Sequence, residues 1–136
     1  MNGATVKVYS LARDGGKKIV NTCPNFLVRE FACQDGSDAV FISPELVKLL
    51  QGIRDHFKAK TRITSGYRTA AHNKKVGGSA NSQHQYGLAA DFIVEGVKPN
   101  EVYDYACKLL PYTGGIGLYS WGVHIDVRET KSRWNG

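Results

Sequence analysis

Apolar residues recur at helical spacing in two long stretches of the chain and at strand spacing in several short ones. In residues 42–60, Leu46, Leu49, Leu50, Ile53 and Phe57 return every three or four positions. That period predicts an amphipathic helix with one face on a core. Ser43 is the expected N-cap, Pro44 the first helical residue, and Glu45 lies in the first turn. Gly52 weakens this helix modestly. Residues 101–110 repeat the pattern, with Val102, Ala106, Leu109 and Leu110 on one face and Pro111 ending it. Residues 69–76 read as a short helix stopped by Gly77 and Gly78.

The strand signals are shorter. Residues 6–11 alternate, 12–18 read as a turn, and 19–21 as a returning strand. This predicts a β-hairpin extension within residues 1–22. Residues 26–33 suit either a short helix or an extended segment, and 33–38 carry turn chemistry. A short strand over 61–68 runs into a turn at 65–66. A central strand follows over 88–94, its one charge being Asp91. Residues 113–120 are glycine-rich, and 121–128 form the last clear strand. Residues 128–136 read as a polar tail pinned by Trp134. The order predicts an α+β domain spanning 1–136: a small, largely antiparallel sheet with helices packed on one side.

Composition narrows the partners. A chain of 136 residues is long enough for one real core, and no apolar run approaches the roughly 18 residues of a membrane span. The first residues lack the basic start and apolar centre of a secretory signal. The expected route is therefore synthesis in the cytoplasm, or export by means the chain does not encode. The formal charge of +6 is spread along the sequence rather than gathered in a tract. It reads as a solvated surface, or as attraction to a polyanion such as a bacterial cell wall. No helix-turn-helix, zinc-finger or arginine-rich signature points to nucleic acid. The expected state is a monomer. Cys23, Cys33 and Cys107 form no CxxC pair and are odd in number, so free, mostly buried thiols are the default.

The chemistry concentrates in residues 82–91, SQHQYGLAAD, where His84 and Asp91 stand seven positions apart. Side chains alternate on a strand, so Ala89, Asp91 and Ile93 share one face. A lone carboxylate in so apolar a strand needs compensation, from a metal ion or from a backbone group that it caps. In the last strand His124, Asp126 and Arg128 share a face opposite Val123, Ile125 and Val127. Alone this is an ordinary amphipathic strand. With His84 and Asp91, His124 would complete two histidines and one aspartate, leaving a fourth position for water on a tetrahedral zinc ion.

SQHQYGLAAD resembles the S-x-H-x-x-G-x-A-x-D motif of the zinc D-Ala-D-Ala peptidases. That group includes phage-type peptidoglycan peptidases, and hedgehog domains share its fold. Residues 63–84 and 114–128, with Trp134, resemble its compact carboxypeptidase-like branch, so the likeness covers roughly residues 23–134. The resemblance implies one zinc ion per chain, held by His84, Asp91 and His124. It implies Arg68 as a substrate-facing arginine that grips a carboxylate or stabilises an oxyanion. Ser82 would bind substrate or order its loop. The implied substrate is a peptidoglycan stem peptide or crosslink. Many relatives carry an acidic residue or histidine just before the last zinc histidine as general base. Here residues 119–123 are Tyr119, Ser120, Trp121, Gly122 and Val123, none of them a good base near neutral pH. Asp126 is the nearest carboxylate: either the catalytic base or a partner that orients a ligand. That departure keeps two rivals open, an inactive zinc-binding domain of the same fold and a metal-free polyanion-binding module.

Overall fold

The computed structural model describes residues 4–136. The domain is α+β. Its main sheet has five strands in the order β3 (Thr61–Ser65), β4 (Ala89–Val94), β6 (Val123–Asp126), β5 (Gly115–Leu118), β7 (Ser132–Asn135). All neighbours are antiparallel except β5 and β7. A separate two-stranded sheet pairs β1 (Lys7–Ser10) with β2 (Ala39–Ile42). Among the described residues, no helix is long and apolar enough to cross a membrane.

The two long helices form where their apolar period places them. In α2 (Pro44–Phe57) the Ser43 hydroxyl accepts from the Leu46 N–H, and Leu46, Val47, Leu50 and Ile53 are buried. In α4 (Pro99–Leu109) Val102 and Ala106 are buried. These faces share one core with Ala90, Phe92 and Val94 of β4, Ile116 of β5, and Val123 and Ile125 of β6. The short helix α3 (Ala70–Lys75) is capped by the Thr69 hydroxyl. The core helices thus cover one face of the sheet and leave Asp91, His124 and Asp126 to the other.

The N-terminal hairpin expected from residues 6–21 does not form. Ser10 instead caps a single helical turn, α1 (Leu11–Asp14): its hydroxyl accepts from the Arg13 N–H, and its own N–H donates to Asp14 Oδ2 at 2.9 Å. That turn redirects the chain, and β1 pairs with β2, its partner positions running from Lys7–Ile42 to Ser10–Ala39. Residues 26–33 resolve into a 3-10 turn at Val28–Phe31. The polar tail contains a strand, β7, and the glycine-rich stretch before the last histidine contains β5. Cys23, Cys33 and Cys107 are free thiols, the first two buried.

One glycine joins the two sheets. Gly87 ends a 3-10 turn at Gln83–Tyr86 with φ of 73°, and its carbonyl accepts from the Ser43 N–H at 2.8 Å. A Cβ there would overlap the Phe41 backbone of β2. Gly96 has nearly the same φ, 75°, but open space around it. Gly96→Ala should therefore cost only the backbone strain, about 1–3 kcal/mol, and Gly87→Ala distinctly more. Chemical denaturation of both variants checks this, and equal losses would mean that the contact with β2 contributes nothing.

Candidate metal centre

Strand pairing builds the site. Asp91 of β4 stands directly opposite His124 of β6, so the two side chains rise from the same face. His124 Nδ1 lies 2.8 Å from Asp91 Oδ1. His84 arrives from the 3-10 turn between α3 and β4, with Nε2 3.3 Å from the same oxygen. Ser82 starts that turn, its hydroxyl accepting from the His84 N–H at 3.3 Å. One ligand-type atom from each of His84, Asp91 and His124 lies within 4.8 Å of the others.

The far nitrogen of each imidazole is already engaged. His84 Nδ1 is 2.8 Å from the Gly66 carbonyl, an acceptor only, so this nitrogen carries a proton and Nε2 is the nitrogen turned toward the cluster. His124 Nε2 is 2.8 Å from Asp126 Oδ2, which leaves Nδ1 facing Asp91. Once the ring nitrogens facing Asp91 give up any proton, as metal binding requires, two imidazoles and a carboxylate oxygen form a donor set suited to a divalent cation of the zinc type. The two histidine-to-aspartate spacings, 2.8 and 3.3 Å, are close to the ~3.3 Å edge of a tetrahedron with such bond lengths. These three side chains fit a metal ion.

Asp126 is 0% exposed and does not border the cavity. Its Oδ1 accepts from the Gly115 N–H (2.9 Å), the Arg128 N–H (3.1 Å) and Arg128 Nε (2.8 Å). Its Oδ2 accepts from Arg128 Nη2 at 2.7 Å, in addition to the His124 contact. Burial pushes the Asp126 carboxyl up, but the bonds from His124 and Arg128 outweigh it and hold the group well below the usual carboxylate range. Asp91 behaves alike: burial raises it, and the two histidines more than reverse the effect. For His124 burial favours the neutral ring, yet Asp126 and Asp91 together raise its pKa.

Arg68 lies on the other flank. Its Nε donates to Ser65 Oγ at 3.1 Å, Nη1 to Asn73 Oδ1 at 3.2 Å, and Nη2 to Asp91 Oδ2 at 3.4 Å. Ser65 faces Asp91 because a bulge shifts the β3–β4 register between Ile63 and Ser65. Asn73, 2% exposed, also donates to the Ser79 carbonyl and so ties Arg68 to the loop ahead of His84. A cavity of about 320 Å³ opens between these groups, bordered by Arg68, Ser82, His84, Asp91, Tyr119, His124, Arg128 and Trp134 among others. That is the small end of ligand pockets.

Sequence reasoning placed His84, Asp91, His124, Arg68 and Ser82, and the fold brings all five to one cavity. It gave no role to Asn73, Tyr119 or Arg128. Asn73 was detectable as the inward position of α3, five residues after Arg68. His72 and His56 lie elsewhere; His56 stacks on Tyr105 at 3.7 Å.

Comparison with known proteins gives one clear result. No curated protein matches the chain. The model of the family described as Peptidase M15 matches residues 22–126, which include Arg68, Ser82 and all three members of the cluster. That family comprises zinc peptidases of the D-Ala-D-Ala carboxypeptidase type. With that match over most of its length, the chain belongs to the peptidase M15 family.

Proposed function

We propose that this protein is a zinc-dependent peptidase that hydrolyses an amide bond in the stem peptides or crosslinks of peptidoglycan. The observation that carries the proposal is the His84–Asp91–His124 cluster, whose ligand-type atoms lie within 4.8 Å of one another while the far ring nitrogens are engaged by Gly66 and Asp126. Bound there, zinc supplies Lewis acidity, lowering the pKa of water towards ~7 and polarising a carbonyl.

The chain's own groups do the rest. Three of the five Arg68 N–H donors are taken by Ser65, Asn73 and Asp91, and two remain for a substrate carboxylate or a developing oxyanion. Ser82 orders the His84 turn through its accepting oxygen and keeps its own proton for substrate. Of the two roles open to Asp126, the five hydrogen bonds on its two oxygens support the orienting one. A carboxylate with about four lone-pair sites has none left for a water proton. Asp126 then fixes the His124 tautomer and the Nδ1 direction. Two guanidinium groups at the cavity, Arg68 and Arg128, favour an anionic peptide end such as the stem presents. In this reading the protein acts as a monomer on the wall, after release or export.

One observation favours a rival, a metal-binding domain of the same fold without turnover. Apart from the cluster itself, no carboxylate or imidazole borders the cavity among the described residues. Incubating zinc-loaded protein with purified peptidoglycan separates the two. Peptidase action releases new amine ends, is abolished by chelator and is missing in His84→Ala, and mass spectrometry of the muropeptides identifies the bond. No new amine ends between roughly pH 5 and 9 would leave the inactive domain.

Asp126→Asn probes the orienting role separately. Zinc affinity, measured by competition with a chromogenic chelator, should fall about 10–100-fold. Unchanged affinity together with lost turnover would instead make Asp126 the base.

A further inference from the structure

The cavity is short of groups that can respond when charge develops on a substrate oxygen. Arg68 is partly spent on Asp91, and Arg128 donates through Nε and Nη2 to Asp126. A further candidate, beside the two free Arg68 donors and the Ser82 hydroxyl, is a phenol. Tyr119 follows β5 and borders the cavity with His124, Asp91 and Arg68.

Its oxygen is held in an informative way. Trp134 Nε1 donates to the Tyr119 oxygen at 2.7 Å. An indole N–H only donates, so the phenol oxygen is the acceptor and its own O–H is free to point elsewhere. The neighbours of the ring act as a jig. Tyr119 stacks on Trp121 with centroids 5.1 Å apart and planes 19° from parallel. The Gly136 backbone, bonded to the Leu118 carbonyl at 2.8 Å, lies so close that any side chain there would overlap the ring. Trp134 is itself fixed by strand pairing: it stands beside Gly117 in the parallel β5–β7 register, and a Cβ at Gly117 would occupy the space of the indole. The same indole lies 5.0 Å from the His124 ring. A glycine, a tryptophan and an edge strand thus fix one phenol at the border of the cavity that His124 also lines.

We infer that Tyr119 is a further catalytic residue of this site, its phenolic O–H donating a hydrogen bond to the oxygen of the scissile carbonyl as that oxygen becomes negative. The inference rests on the peptidase reading above. A fixed donor aimed at a developing oxyanion acts on the transition state more than on bound substrate. Trp134 is its positioning residue: by filling one lone pair it turns the O–H away from itself, and by polarising the phenol it strengthens the donor.

The test compares wild type, Tyr119→Phe, Trp134→Phe and the double variant, all zinc-loaded. Phenylalanine keeps the stacking on Trp121 and removes only the hydroxyl. Tyr119→Phe should lower kcat about 10²-fold with KM, zinc content and melting temperature unchanged. Its affinity for a phosphinic peptide, in which tetrahedral phosphorus replaces the carbonyl of the cleaved bond, should fall by a similar factor. Trp134→Phe should lose severalfold in both readouts, and the double variant should be no worse than Tyr119→Phe, because the indole acts through the hydroxyl. If Tyr119→Phe matches wild type in kcat and phosphinate affinity, the tyrosine assignment falls and the peptidase reading stands. If the variant loses zinc or melts early in proportion to its activity, the tyrosine is only scaffold, and the assignment falls again. If wild type neither cleaves peptidoglycan peptides nor binds a phosphinic analogue of D-Ala-D-Ala, the peptidase reading and the tyrosine assignment fall together.

Discussion

Asp91 and His124 face each other across two central antiparallel strands, 2.8 Å apart. A carboxylate in the middle of a sheet is strongly disfavoured unless something answers its charge. Here the answer comes from outside its own strand: an imidazole from β6, a second from the His84 turn, and a guanidinium from beyond β3. Each must arrive at the right height over the sheet. The bulge in β3, the left-handed glycine after His84 and the glycines of β5 all serve that requirement. The helical layer on the opposite face supplies the burial that makes the sheet rigid enough to hold them.

The polar face is organised as nested shells of hydrogen bonds. His84 is oriented by a backbone carbonyl and His124 by a carboxylate, and that carboxylate is held by a backbone N–H and a forked arginine. Arg128 in turn lies 5.4 Å over the Trp134 ring. No buried side-chain polar atom in this network lacks a partner among the described residues. Fully satisfied networks of this kind are stiff, because any rotation breaks more than one bond. A preorganised donor set loses little conformational freedom when a ligand arrives.

The sequence revealed those parts of this arrangement that follow from periodicity and from chemical type. The amphipathic period of α2 and α4 and the lone charge of β4 are local signals, and they survive in the fold. The motif around His84 and Asp91 carried the site for the same reason. What stayed hidden depends on partners distant in the chain. Alternation in β6 taken alone suggested an ordinary amphipathic strand, yet Asp126 is wholly buried, enclosed by Gly115, His124 and Arg128. Gly115 and Gly117 lay in a stretch read only as glycine-rich, whereas they are strand residues kept small by Asp126 and Trp134 on the crowded face. The N-terminal alternation was read correctly as a strand but given the wrong partner. Ser10 and Asp14 lock a helical turn where a hairpin loop was expected, and β2 offers the free edge.

The outermost strand of the main sheet has a thermal consequence. β7 is four residues long and bonded to the sheet on one side only. Ribbons of this kind open locally at a fraction of the free energy of global unfolding. Each opening lifts the indole away from the imidazole and the phenol while both core helices stay packed. Gentle heating should therefore disarm the cavity reversibly, well below the temperature at which the domain melts.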